Sequence, residues 1–277
     1  MRIYRNATEI TRKETLGRRF SFTGLAILFV GLLASFVPTW YPPDAVAPNA
    51  LVAMLQSYWV PASFIALPAG FIFATLGSYY INRFARRRWP DSKTFARPDE
   101  VLERNMKGFD DKFAYFSHSL PGSNYVVTGP SGVLIFAVRS DKGRVRVEGD
   151  RWREPFSIGR FFTVFAREGV GNPTSELDEQ TRKMRELLSK AGTSGEAGAT
   201  EATGLINVPV EGAVVFLNSA MQLDVDSPKL PVLRVDQVKD YIRRKAKDTR
   251  LPTATVRALN EYLRENSKYQ EVEEKAS

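Results

Sequence analysis

The chain has 277 residues, is 43% hydrophobic and carries a formal net charge of +8, with one histidine and no cysteine. The missing cysteines exclude disulfides and thiolate metal sites, and a lone histidine gives no internal support to a His-based metal centre or a Ser-His-Asp triad. Residues 1–97 hold 12 Lys/Arg against 4 Asp/Glu and residues 98–277 hold 27 against 27, so the basic excess is local and does not by itself argue for a nucleic-acid-binding domain.

Ser21–Val37 reads SFTGLAILFVGLLASFV and Tyr58–Ile81 reads YWVPASFIALPAGFIFATLGSYYI, neither with a charged residue. Each approaches or exceeds the length of about 20 apolar residues that crosses a hydrocarbon core of about 30 Å. Trp40, Tyr41, Tyr58 and Trp59 border the spans as an aromatic belt would. Residues 21–81 are therefore predicted to be a two-helix transmembrane hairpin, preceded by a basic N-terminus (1–20) and followed by a basic juxtamembrane linker (82–96). Arg2, Arg5, Arg12, Lys13, Arg18 and Arg19 lie before the first span, Arg83, Arg86, Arg87, Arg88, Lys93 and Arg97 after the second, and the connecting loop has no basic residue. The positive-inside rule then puts both termini in the cytoplasm of a bacterial-type cell, with anionic lipid attracting the basic flanks. A signal peptide cut after Ala45-Val46-Ala47 fits poorly, because the apolar core is long and the site lies far beyond it.

From Arg97 the pattern changes. Pro98, Asp99 and Glu100 open a short helix with Val101, Leu102 and Met106 on one stripe. Phe113–Ser117, Tyr125–Thr128, Val133–Val138 and Gly143–Glu148 are strand-like runs and predict an antiparallel meander. Ser175–Lys190 is an amphipathic helix buried through Leu177, Met184, Leu187 and Leu188; Ala191–Gly204 reads as a flexible loop. Gly212–Leu217 and Val232–Val235 are further strands, Asp236 is the expected cap of a basic helix to about Lys247, and a last helix over about Thr253–Glu265 leads into a frayed EVEEKAS tail. This gives a mixed α/β domain over 97–247 and a C-terminal helix and tail over 248–277.

The segment Asn124–Arg139, NYVVTGPSGVLIFAVR, resembles the catalytic hairpin of the nuclease-related domain (NERD) family, whose fold belongs with the restriction-endonuclease-like nucleases. Tyr125-Val126-Val127, Gly129-Pro130-Ser131-Gly132, Gly143, Trp152, Asn172-Pro173, Gln180 and Val214-Val215-Phe216 match its pattern, and the resemblance covers roughly Arg97 to Arg243. It implies a mixed-sheet, restriction-endonuclease-like cytoplasmic domain. The family's aspartate and histidine fall on Asn124 and Tyr125, its glutamate on Ala137 and its lysine on Arg139. A neutral amide and a methyl cannot hold the hard cation such hydrolysis requires, and Arg139 cannot serve as a base. The resemblance thus implies a degenerate site at Asn124, Ala137, Arg139 and Gln180, no cofactor and no metal.

Asp141, two residues after Arg139, is a candidate substitute carboxylate that would restore a divergent Mg²⁺-dependent nuclease; Asp110, Asp111, Glu148 and Asp150 are others nearby. Asp141-Lys142-Gly143 is also ordinary turn chemistry. Arg139, Lys142, Arg144 and Arg146, extended by Arg151, Arg153 and Arg160, form a basic cluster diluted by acids, either a solvated face or a nucleic-acid contact. His118 is expected to be structural. Gly169–Pro173 lacks the Lys-Ser/Thr of a phosphate loop. The expected partners are the lipid bilayer and either nucleic acid or other membrane proteins, with a membrane adaptor that touches no nucleic acid as a further alternative.

Overall fold

The computed structural model describes residues 1–42, 44–155, 169–191 and 205–271. The expected loop after Ala191, the frayed tail and Arg160 lie outside them. In chain order the elements are β1 (Arg2–Arg5), α1 (Ala7–Trp40), α2 (Ala50–Phe84), β2 (Arg87–Arg88), β3 (Phe95–Ala96), α3 (Pro98–Asn105), β4 (Ala114–Leu120), β5 (Ser123–Gly129) and β6 (Gly132–Arg139). There follow β7 (Gly143–Glu148), β8 (Arg151–Arg153), α4 (Pro173–Ala191), β9 (Val210–Phe216), β10 (Met221–Asp226), β11 (Val232–Arg234), α5 (Val238–Asp248), α6 (Thr253–Glu265) and β12 (Gln270–Glu271). The chain divides into two compact units, a helical one from Arg12 to Ala85 and an α/β one that includes Met1–Thr11 and the described residues from Arg86 onward.

In the helical unit, α1 and α2 are both long and apolar enough to cross a membrane, and only 22% and 11% of their most apolar windows are buried. A core helix of a water-soluble domain would bury most of that surface; here Phe22, Leu25, Phe29, Phe64 and Ile65 point outward. Where the two helices approach closest, the facing residues are small, with Phe20 packed against Phe73 and Tyr80 beside them. Gly17, Gly24 and Gly31 recur every seven residues along α1, and Gly70 and Gly77 do so along α2. A Cβ on Gly24 would lie 2.6 Å from the Ala74 nitrogen, and one on Gly77 2.9 Å from the Gly17 oxygen, so the two backbones approach as closely as glycine permits. Asn49 starts α2 by accepting a hydrogen bond from the Val52 N–H at 2.9 Å.

The α/β unit is a seven-stranded mixed sheet in the order β11-β9-β6-β5-β4-β1-β12. β4, β5 and β6 form the expected antiparallel meander, and β6, β9 and β11 run parallel. Period-2 alternation along β6 sends Val133, Ile135 and Ala137 into a core with Leu177, Met184 and Leu188 of α4 and Leu259 and Leu263 of α6. Leu134, Phe136 and Val138 join Leu102 of α3, Met106 just after it, and Val238, Tyr241 and Ile242 of α5. The result is a three-layer α/β/α arrangement. Pro98 opens α3, and Glu100 accepts from the Arg97 N–H at 2.9 Å, as its position in the first turn predicts.

Three expectations are corrected. Gly143–Glu148 does not extend the meander: β9 pairs along the whole of β6, leaving no edge, and β7 instead forms a separate sheet in the order β10-β7-β8. Residues 1–20 are not simply a basic tail. β1 inserts between β4, which it parallels, and β12, because Tyr4 stacks on Phe116 and the buried Arg5 holds Asp99 at 2.6 Å together with the Glu103 carboxylate. Asp236 does not cap α5: the helix is entered through a 3₁₀ turn, Val235–Gln237, in which Gln237 accepts from the Arg234 N–H at 2.9 Å.

Candidate functional site

The register of the β5–β6 hairpin, with Val126 opposite Ile135 and Gly129 opposite Gly132, places Asn124 opposite Ala137 when continued two residues further. Gly132 turns the hairpin at φ +87°, a conformation favoured by glycine. Ala137 and Arg139 share the sheet face covered by α4, and α4 supplies Gln180. Pro173 begins that helix, and Asn172 caps it by accepting from the Ser175 N–H at 3.2 Å. Ala137, Arg139 and Gln180 thus lie between one face of the sheet and one helix, with Asn124 on the neighbouring strand.

What fills the site is an ion pair. Arg139, 5% exposed, donates through Nη2 to Glu176 Oε2 at 2.6 Å, through Nε to the Val170 carbonyl at 2.8 Å and through Nη1 to the Val138 carbonyl at 3.1 Å. The other Glu176 oxygen accepts from Gln180 Nε2 at 3.0 Å, whereas the buried Gln180 Oε1 has no partner among the described residues. Glu176 is the residue the sequence reasoning missed. Its signal was its position one helical turn before Gln180, which places both on one face of α4.

The remaining candidates are placed differently. Asp141 accepts from the Gly169 N–H at 3.1 Å and Glu154 from the Val170 N–H, so the Gly169–Gly171 loop receives carboxylates from its own chain. Trp152 donates to Thr174 Oγ1 at 2.8 Å at the start of α4. His118 occupies the left-handed region, φ +53°, at an irregularity in the β4–β5 pairing. Its Nδ1 lies 3.2 Å from Asn124 Oδ1, and its ring stands edge-on to Tyr125.

A magnesium ion requires several hard oxygen donors with net negative charge. Asn124 and Ala137 do not supply it, and Glu176 is bonded to a guanidinium, so this set of residues does not fit the ion. Among the described residues, no three or more His, Asp or Glu side chains cluster as a metal site.

The four basic candidates are not brought together. Arg139 is in the core of the large sheet; Lys142, Arg144 and Arg146 are exposed on or beside β7. The unforeseen β10 sets Asp224 beside Arg146 and Asp226 beside Glu148, and β8 sets Arg153 opposite Arg146. The outer face of this small sheet is therefore of mixed charge.

No family model matches this chain. Comparison with curated proteins and with solved structures likewise gives no match.

Proposed function

We propose that this chain is a membrane-anchored, nuclease-like domain protein without metal catalysis, acting by binding or scaffolding on the cytoplasmic side of a bacterial-type inner membrane. The observation that carries the reading is the Arg139–Glu176 pair with Gln180 behind it: a cationic side chain bonds the carboxylate at the centre of the degenerate positions. The strand-turn-strand-helix placement of Asn124, Ala137, Arg139 and Gln180 on β5, β6 and α4 supports the likeness to the NERD family and to the restriction-endonuclease-like fold.

Anchoring is supported by the two apolar helices and by the path of the chain through the sheet. β1, directly before α1, pairs with β4, which lies beyond α2. A hydrogen-bonded sheet cannot straddle a bilayer, so spanning helices at α1 and α2 would leave both flanks on one side. The basic residues select the cytoplasmic side. Nucleic acid remains a partner only through the exposed Lys142, Arg144 and Arg146, since Arg139 is buried and engaged.

The test is to incubate the full chain in detergent micelles with single- and double-stranded DNA and RNA in Mg²⁺ or Mn²⁺. The nucleic acid should remain uncut. The alternative, a divergent nuclease, has one observation in its favour, the carboxylate of Glu176 beside Gln180. It would take first place if metal-dependent cutting occurred and disappeared on Glu176→Gln or Asp141→Asn.

A further inference from the structure

A second region of the α/β unit has unpaired charge where the first has a closed ion pair. One face of α6, together with β1 and the turn before β4, lines an open cleft of about 420 Å³. That volume is within the range of small-molecule sites. Arg2, Lys112 and Arg257 line it, and none of their charged groups has a hydrogen-bond or ion-pair partner among the described residues. The carboxylates in the lining are Asp111 and Glu261; Glu261 is paired with Arg264 at 3.3 Å, which leaves Asp111 to face three cations.

The wall between these charges is fixed in place. Tyr4, only 2% exposed, is held between Phe116 and Tyr269 with ring centroids 4.9 Å from each, and its hydroxyl has no partner among the described residues. Asn260 is anchored from both ends of its amide, donating to the Lys112 carbonyl at 3.0 Å and accepting from Thr128 Oγ1 at 2.5 Å. A buried ring whose O–H opens into the cleft, beside guanidinium and ammonium groups without protein partners, gives a surplus of donors over the one unpaired carboxylate, Asp111.

We propose that this cleft binds a phosphate group. A lone carboxylate would be satisfied by one guanidinium fork, whereas a phosphate presents several anionic oxygens and can accept from two arginines, a lysine and a phenol at once. The group can belong to a lipid headgroup or to a soluble phosphorylated compound. The site is separate from the Arg139 pair, so the proposal does not depend on whether the chain is a nuclease.

The test is calorimetric titration of pyrophosphate into the full chain in nanodiscs of zwitterionic lipid. Saturable binding is expected, weakening as salt is raised. The double variant Arg2→Gln, Arg257→Gln should weaken it by about tenfold or more, and Tyr4→Phe by less. The pair Arg144→Gln, Arg146→Gln, on the small sheet, should leave it unchanged. Arg2 and Arg257 are exposed, and unchanged melting temperatures would show that the variants fold; if the double variant does not fold, Arg257→Gln alone carries the comparison. In nanodiscs containing phosphatidylglycerol, loss of pyrophosphate binding would assign the phosphate to a lipid headgroup, and retained binding to a soluble compound. Absence of saturable binding in zwitterionic discs, equal affinity in the cleft variant, or an equal loss in the small-sheet variant would overturn the proposal.

Discussion

The helical unit and the α/β unit solve opposite packing problems. In the α/β unit, Phe116, Phe136 and Phe216 are fully buried, and the buried charges Arg5, Asp99 and Arg139 are paired. In the helical unit, Phe22, Phe29 and Phe64 are exposed, and the interior contact is made by Gly17, Gly24, Gly70 and Gly77. The difference follows from the solvent each surface is suited to. Water drives large apolar side chains inward, whereas hydrocarbon offers no such drive and leaves close backbone contact to hold two helices together.

That contrast is broken most completely if the helices do not span a bilayer. A reporter active only outside the membrane, fused at about Ala47 in the α1–α2 connection, should be fully active. The same reporter at Ser277 should be silent. Activity at Ser277 would overturn the cytoplasmic assignment, and silence at both positions would mean that neither helix crosses.

The next largest effect concerns the strand that precedes α1. Arg5 is buried with Asp99 and Glu103 as its ion partners, and the Arg5 Nε to Asp99 contact is close without being aligned as a hydrogen bond. Such pairs add little compared with a well-packed apolar replacement, but removing Asp99, which also accepts from Arg97 Nε at 3.2 Å, leaves the buried Arg5 with Glu103 alone. Asp99→Leu should therefore cost about 1–3 kcal/mol of α/β-unit stability, measured by urea unfolding of the full chain in detergent. The triple change Arg5→Met, Asp99→Leu, Glu103→Leu should recover most of that loss. No difference between the single and triple variants would mean that charge burial is not what fixes β1.

Some of this was legible in the sequence and some was not, for physical reasons. The helix over Thr253–Glu265 has the boundaries its periodicity predicts, and the apolar runs Ser21–Val37 and Tyr58–Ile81 lie inside α1 and α2. Local patterns report local structure. β1 escaped notice because Arg2–Arg5 is short, contains two arginines and gains its strand conformation only from β4, more than 100 residues away. β10 alternates Met221, Leu223 and Val225, yet it too depends on a distant partner, β7. In the candidate site, the resemblance singled out Arg139 and Gln180, whereas the role of Glu176 required knowing which turn of α4 lies over the end of β6.

The smallest effect tests the glycine contact itself. Gly24 lies where an added Cβ would meet the Ala74 nitrogen at 2.6 Å and the Gly70 oxygen at 2.9 Å, both backbone atoms that cannot rotate away. Gly24→Leu must therefore separate the helices locally or shift one along the other. Overpacking of this kind costs about 1–3 kcal/mol. The same substitution adds apolar surface, which a bilayer tolerates, so insertion should be unaffected while the helix pair loosens. The two units can be followed separately by single-tryptophan variants that keep Trp59 in α2 or Trp152 in β8. Gly24→Leu should lower the thermal transition reported by Trp59 and leave that reported by Trp152 in place. Gly149, where a Cβ would meet nothing within 4 Å, is the control: Gly149→Asn, a residue tolerant of its φ of +62°, should move the Trp59 transition not at all. An unchanged Trp59 transition in Gly24→Leu would show that the helices associate through some other surface.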